Sequence, residues 1–186
     1  NNGRYRFVSF DLDYAFKGCW GNAAENPSDD NPFKNYAKFK DDNGPKRNNH
    51  PVVYNKEFVN LFLDLMAHEG YRHKFIDTFS LMGGSVFEKE RSAAIIDDLL
   101  YNVEAANGAA RSSAIKVKNN LNSRLSTAIS ALENYSIFNL SSTLPQQVTL
   151  SSDVVGARLF VNNQVVPTGH FDGILFEPVV LRAESP

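Results

Sequence analysis

A single cysteine, Cys19, stands among 186 residues. One thiol closes no internal disulfide, and no second Cys or His lies at a zinc-ligand spacing from it, which excludes a disulfide framework and a cysteine-based zinc centre. Basic excess is missing too. Lys and Arg number 19 against 21 Asp and Glu, a formal net charge of -2, so nucleic acid and anionic membranes are not expected partners. No apolar run comes near the roughly 18 residues of a transmembrane segment. The opening Asn1-Asn2-Gly3-Arg4 lacks the basic-then-apolar-then-small order of a signal peptide. Internal repeats and low-complexity tracts are absent. What is present is 42% hydrophobic and 22% charged, the composition of a globular chain with one good core and room for a small appended module.

Asn2-Gly3 is a two-residue hairpin turn signal directly before the strand-like run Tyr5-Arg6-Phe7-Val8-Ser9-Phe10. A hairpin turn needs a strand on both sides, so a partner strand, and with it an earlier, missing N-terminal part of the same chain, is expected ahead of Asn1. Any export signal would lie there as well. From Lys17 to Tyr54 the chemistry is that of a loop, with Pro27, Pro32, Pro45 and Pro51 and the polar stretch Ser28-Asp29-Asp30-Asn31. A loop of that length in a compact domain is more often functional than idle. Its aromatic residues Trp20, Phe33, Tyr36, Phe39 and Tyr54 either form a ligand surface or anchor the loop.

Helical periodicity takes over after this loop. Phe58, Leu61, Phe62, Leu65 and Met66 form one apolar stripe, and Phe75, Phe79 and Met82 a second after a break expected at Gly70. Gly83-Gly84 is expected to end the second helix, and Ser85 with Glu88 to cap the third as a capping box. The third helix carries Ile95, Ile96, Leu99, Leu100 and Val103. The fourth carries Leu121, Leu125, Ala128, Ile129 and Leu132. Four helices around one shared apolar interior are the expected result. After Leu144-Pro145 the period changes to two at Val148 and Leu150, Leu159 and Val161, and Val179, Leu181 and Ala183. Turns are expected at Asn162-Asn163-Gln164 and Thr168-Gly169-His170. The fold class is therefore α+β: a mainly helical unit over residues 1–144 with a short N-terminal strand and a long loop, then a small sandwich-like β module over 145–186.

Asp11 and Asp13 are the sharpest candidates for chemistry. At i and i+2 on extended backbone they point to one side and can hold a hard cation such as Mg²⁺ through oxygen ligands. An exposed strand end or an Asx turn is the commoner origin of that spacing. His50, His68, His73 and His170 show no metal-ligand pattern and read as surface histidines. Cys19 has no neighbour to activate it and reads as structural. Arg111, Lys116, Lys118 and Arg124 give the fourth helix a basic face, which could meet phosphate or stand solvated.

Residues Gly3 to Phe16, Gly-Arg-Tyr-Arg-Phe-Val-Ser-Phe-Asp-Leu-Asp-Tyr-Ala-Phe, resemble the segment of the spore coat protein H (CotH) kinase family in which a strand runs into D-L-D-W-A-F-G. Phe87-Glu88-Lys89-Glu90-Arg91 leading to Ile95-Ile96-Asp97-Asp98-Leu99 is similar to a later helix of that family, and the resemblance spans roughly residues 3–140. It implies the C-terminal lobe of an atypical protein-kinase-like fold, secreted or on the cell surface, in a parent that transfers phosphate from ATP to Ser or Thr of a protein. By the same resemblance Asp11 is the residue that ligates Mg²⁺ against the ATP phosphates, and Asp13 is an additional ligand or a group that orients the loop. Lys17 stands where the family has Gly. The family's phosphate-binding lysine, nucleotide-covering loop and catalytic carboxylate precede this strand, so residues 1–186 alone are expected to be inactive, with no cofactor held tightly. Phe171 to Val179 resemble a small β repeat that comes after this domain in surface proteins of Bacteroidetes. A reading of another class is a non-catalytic surface module that binds a glycan or protein through the loop from Cys19 to Tyr54. A plain structural domain is the third.

Overall fold

The computed structural model describes residues 46–47, 50–51, 56–103, 105, 108–176 and 178–186. The expected strand from Arg4 to Phe10 lies outside them. Inside the segment read as loop, Lys46–Arg47 (β1) and His50–Pro51 (β2) pair antiparallel, Lys46 opposite Pro51.

Two helices, Lys56–Ala67 (α1) and Glu69–Leu81 (α2), match the two apolar stripes. The break between them falls at His68 and not at Gly70. His68 is extended, and its Nδ1 accepts from the Tyr71 amide at 3.4 Å, so the imidazole is the helix N-cap. Gly70 sits in the first turn, where amides have no intrahelical partner and a flexible residue costs little. The preceding helix end is closed by Arg72, whose Nη1 donates to the Met66 carbonyl at 2.8 Å.

Gly83-Gly84 does not end α2 either. The chain widens into a π turn over Met82–Val86, closed by the Phe87 amide donating to the Met82 carbonyl at 2.9 Å. The expected capping box is absent as well. Ser85 turns away to Thr168, their hydroxyl oxygens 2.6 Å apart. Glu88 is itself the cap of Lys89–Val103 (α3), its carboxylate oxygens accepting from the amides of Glu90 and Arg91 at 2.7 and 2.8 Å. A carboxylate at that place also complements the positive end of the helix, and caps of this kind contribute about 1 kcal/mol. Ala110–Asn134 (α4) and a 3-10 turn, Ser136–Phe138, complete the described helices.

The β segment holds five strands: Pro145–Leu150 (β3), Arg158–Val161 (β4), Gln164–Val165 (β5), Phe171–Phe176 (β6) and Leu181–Glu184 (β7). β3 pairs with β6 antiparallel, while β4 lies between β5 and β7. The turn at Asn162-Asn163 is as expected, both residues left-handed with φ of 48° and 65°, the conformation that lets a two-residue hairpin match the strand twist. β6 does not show in the sequence as an alternating strand, because both its faces are covered. Ile174 and Phe176 join one core, and Phe171 and Leu175 the other.

Those two cores replace the single four-helix interior. The first gathers Met66, Ile76, Leu132, Phe138, Leu140 and Phe176, with Phe75 stacked on Phe138 at 5.8 Å. The second gathers Leu81, Leu159, Val161, Val166, Phe171 and Leu175. The apolar stripe of α3 enters neither: Ile95 and Leu99 are 43% and 60% exposed. The α3 helix packs chiefly along α4 and the π turn among the described residues.

Gly84 is buried against the ring of Phe171, and a Cβ there would stand 2.4 Å from Cε2. Phe171 is fully buried and its ring has nowhere to go. Gly84→Ala is therefore expected to cost about 2–3 kcal/mol, lowering Tm by roughly 5–10 °C. Gly108→Ala, where an added Cβ meets nothing within 4 Å, serves as the control and is expected to stay within about 0.5 kcal/mol of the parent. Equal melting curves for the two variants would refute the contact.

Candidate functional site

Asp11 and Asp13 lie outside the described residues, as do Cys19 and the aromatic residues of the long loop. As a donor set, two carboxylates at i and i+2 fit a hard cation. Among the described residues no group of three His, Cys, Asp or Glu side chains stands together as metal ligands do. His73 and His170 are exposed, as read from the sequence, while His68 has the capping task that its spacing did not reveal. Of the basic face, Lys118 is paired with Asp97 across the α3–α4 hairpin, a structural use of its charge.

The described residues converge on the π turn. Gly84 and Gly173 have no side chain between them, and a Cβ on Gly173 would come 2.9 Å from the Gly84 Cα. The turn thereby sits directly on β6. Ser85, 1% exposed, locks it to the β5–β6 loop: its Oγ also accepts from the Thr168 amide at 3.2 Å. A π turn adds one residue to a helix and re-aims the chain beyond it, which is why such turns recur at functional sites.

Two clefts flank this turn, and Phe87 lines both. The first, about 530 Å³, runs between α3 and α4 and is walled by Val86, Ile95, Leu99, Val103, Ala114 and Leu121. It is almost wholly apolar. The second, about 560 Å³, lies between α2, α4 and the β3–β6 pair. Its lining is mixed, with Phe79, Met82 and Ile129 beside Ser80, Asn122 and Asp172.

A buried polar junction ties the helices to the β segment on another side. Asp77 is 8% exposed and its Oδ2 accepts from Asn162 Nδ2 at 3.0 Å. Asn162 Oδ1 in turn accepts from the Val180 amide at 2.8 Å, and Thr78 donates to Gln164 at 2.6 Å. Burial pushes the Asp77 carboxyl above its ordinary value of 3.8, against the opposing pull of the Asn162 hydrogen bond, the His73 charge and Gln164. The folded state therefore holds this proton more tightly than the unfolded chain. Its stabilising effect is complete below 3.8 and is lost as pH rises through the higher folded value. The stability of the parent relative to Asp77→Asn is expected to fall over that window, read from urea midpoints between about pH 3 and pH 7. A difference that stays flat, or rises, would show that burial does not dominate.

The model of a family described as CotH kinase protein matches residues 1–142. The chain belongs to the CotH kinase family. No curated relative and no solved structure matches it. In this CotH family member the matched stretch holds Asp11 and Asp13, the four α-helices, the π turn and the 3-10 turn of the described residues, and it stops before β3. Both clefts draw most of their lining from that stretch, while Gln147, Asp172, Gly173 and Ile174 come from the β segment beyond it.

Proposed function

We propose that this chain supplies the helical, C-terminal-lobe part of an atypical protein kinase that works outside the cell or at its surface and phosphorylates Ser or Thr of a protein. Membership of the CotH kinase family over the stretch that contains Asp11-Leu12-Asp13 carries this reading. The α+β architecture, helices first and a small β segment after, is compatible with it. Asp11 is the principal Mg²⁺ ligand and Asp13 the second; when bound, the ion supplies charge neutralisation at the phosphate oxygens of ATP. The two carboxylates do nothing covalent. They hold negative charge at one place, where it attracts and fixes the cation.

By the family resemblance, the phosphate-binding lysine, the covering loop and the catalytic carboxylate come before the Asp11-Leu12-Asp13 motif in the family's order. Transfer is therefore expected from the full-length protein and not from residues 1–186 alone. The test is Mg-ATP binding and autophosphorylation of the full-length protein beside residues 1–186. Activity in the parent and none in the shorter chain supports the reading. An intact parent that binds no nucleotide overturns it.

A further inference from the structure

The mixed cleft beside the π turn has a definite electrostatic sense. Asp172 is the one charged side chain among the described residues that line it, and no Lys or Arg is there to offset it. Its carboxylate is held in place from one side: Oδ1 accepts from Gln147 Nε2 at 2.7 Å and from Thr149 Oγ1 at 3.2 Å. Oδ2 has no partner among the described residues. The cleft's large apolar lining comes from Phe79, Met82, Phe87 and Ile129, beside the uncharged polar residues Asn122, Ser126, Ser130 and Gln147. Low-dielectric walls around one fixed charge favour a counter-ion that carries its own apolar body.

The volume of about 560 Å³ is that of a small-molecule site, within the range such sites occupy.

We propose that this cleft binds a small organic cation, an ammonium group on an aromatic-sized apolar body. The ammonium pairs with Asp172 Oδ2, and the body lies against Phe79, Met82 and Ile129. A carboxylate of the same shape is rejected by Asp172. The ligand of this cleft needs neither nucleotide nor metal.

Three probes of one shape and different head groups test it: tyramine (ammonium), tyrosol (hydroxyl) and 4-hydroxyphenylacetate (carboxylate), titrated by calorimetry or NMR into the intact protein without nucleotide. Asp172 is exposed, so tyramine is expected to bind about threefold to fivefold tighter than tyrosol, the size of a solvent-screened ion pair. The carboxylate is expected to bind weakest, and the gap to shrink as salt rises. Asp172→Asn keeps an oxygen for Gln147 and Thr149, and it should equalise tyramine and tyrosol by weakening tyramine alone. No saturable tyramine binding at millimolar concentration, equal affinity for all three probes, or a head-group preference that survives Asp172→Asn would each overturn the proposal. None of those outcomes bears on kinase activity, which is read separately.

Discussion

In the intact parent, Asp11→Asn is expected to lower phosphoryl transfer roughly 10²–10³-fold, the loss typical of one preorganised electrostatic contact to a developing charge. The substitution is nearly isosteric and keeps a carbonyl oxygen, so coordination geometry is disturbed little. What it removes is one negative charge from a pair meant to hold a divalent hard cation. The loss should therefore come with a raised Mg²⁺ requirement and be partly recovered at high Mg²⁺, a signature that a merely misfolded variant does not show. Asp13→Asn, at the second ligand position, is expected to cost less. Initial-rate assays across a Mg²⁺ series, with circular dichroism to confirm folding, decide the matter. Unchanged transfer in Asp11→Asn would leave the two carboxylates as an ordinary strand end.

The largest effect on stability is expected at Phe138. This ring is 1% exposed and lies nearly parallel to Phe75, the planes 5° apart. It stands in the core where α1, α2, α4 and β6 meet, with Met66, Ile76, Leu132 and Phe176. Truncating a fully buried Phe to Ala costs about 3–5 kcal/mol, through lost burial and the cavity left behind. Four elements bound that space and none can close it alone, which points to the upper part of that range. A fall in Tm of roughly 10 °C or more is expected for a chain of this length. Val155→Ala supplies the contrast, since Val155 is 94% exposed and should change little. Phe138→Ala and Val155→Ala melting together would mean that this core is not what holds the helices to β6.

Residues whose task is settled within one or two turns of chain were readable in the sequence. The stripes Leu61 to Met66 and Ile95 to Val103 predict α1 and α3 because the helical period repeats locally. Asn162-Asn163 predicts its turn because two adjacent left-handed residues suit few side chains. The Asp11-Leu12-Asp13 motif and the helices after it identify the family. Residues whose partner lies far along the chain could not be read this way. Ser85 has the spacing of a capping residue with Glu88, yet a hydroxyl 83 positions away wins it. Gly83-Gly84 looks like a helix stop, yet Gly84 is small because β6 arrives against it. His68 gave no sign of its capping role beyond lying just ahead of Glu69 and Tyr71.

The sequence by itself determined the class of the chain, its helices, its family and the pair of carboxylates on which the proposed chemistry rests. All of these depend on composition, local period or a contiguous motif. Only the tertiary structure decided that β6 divides two cores, that α3 keeps its apolar stripe half exposed, that Asp77 is buried against Asn162, and that Asp172 shares one cleft with Phe79, Met82 and Ile129. Each of these is a meeting of residues far apart in the chain, brought about by which surfaces bury one another. No local pattern records such meetings.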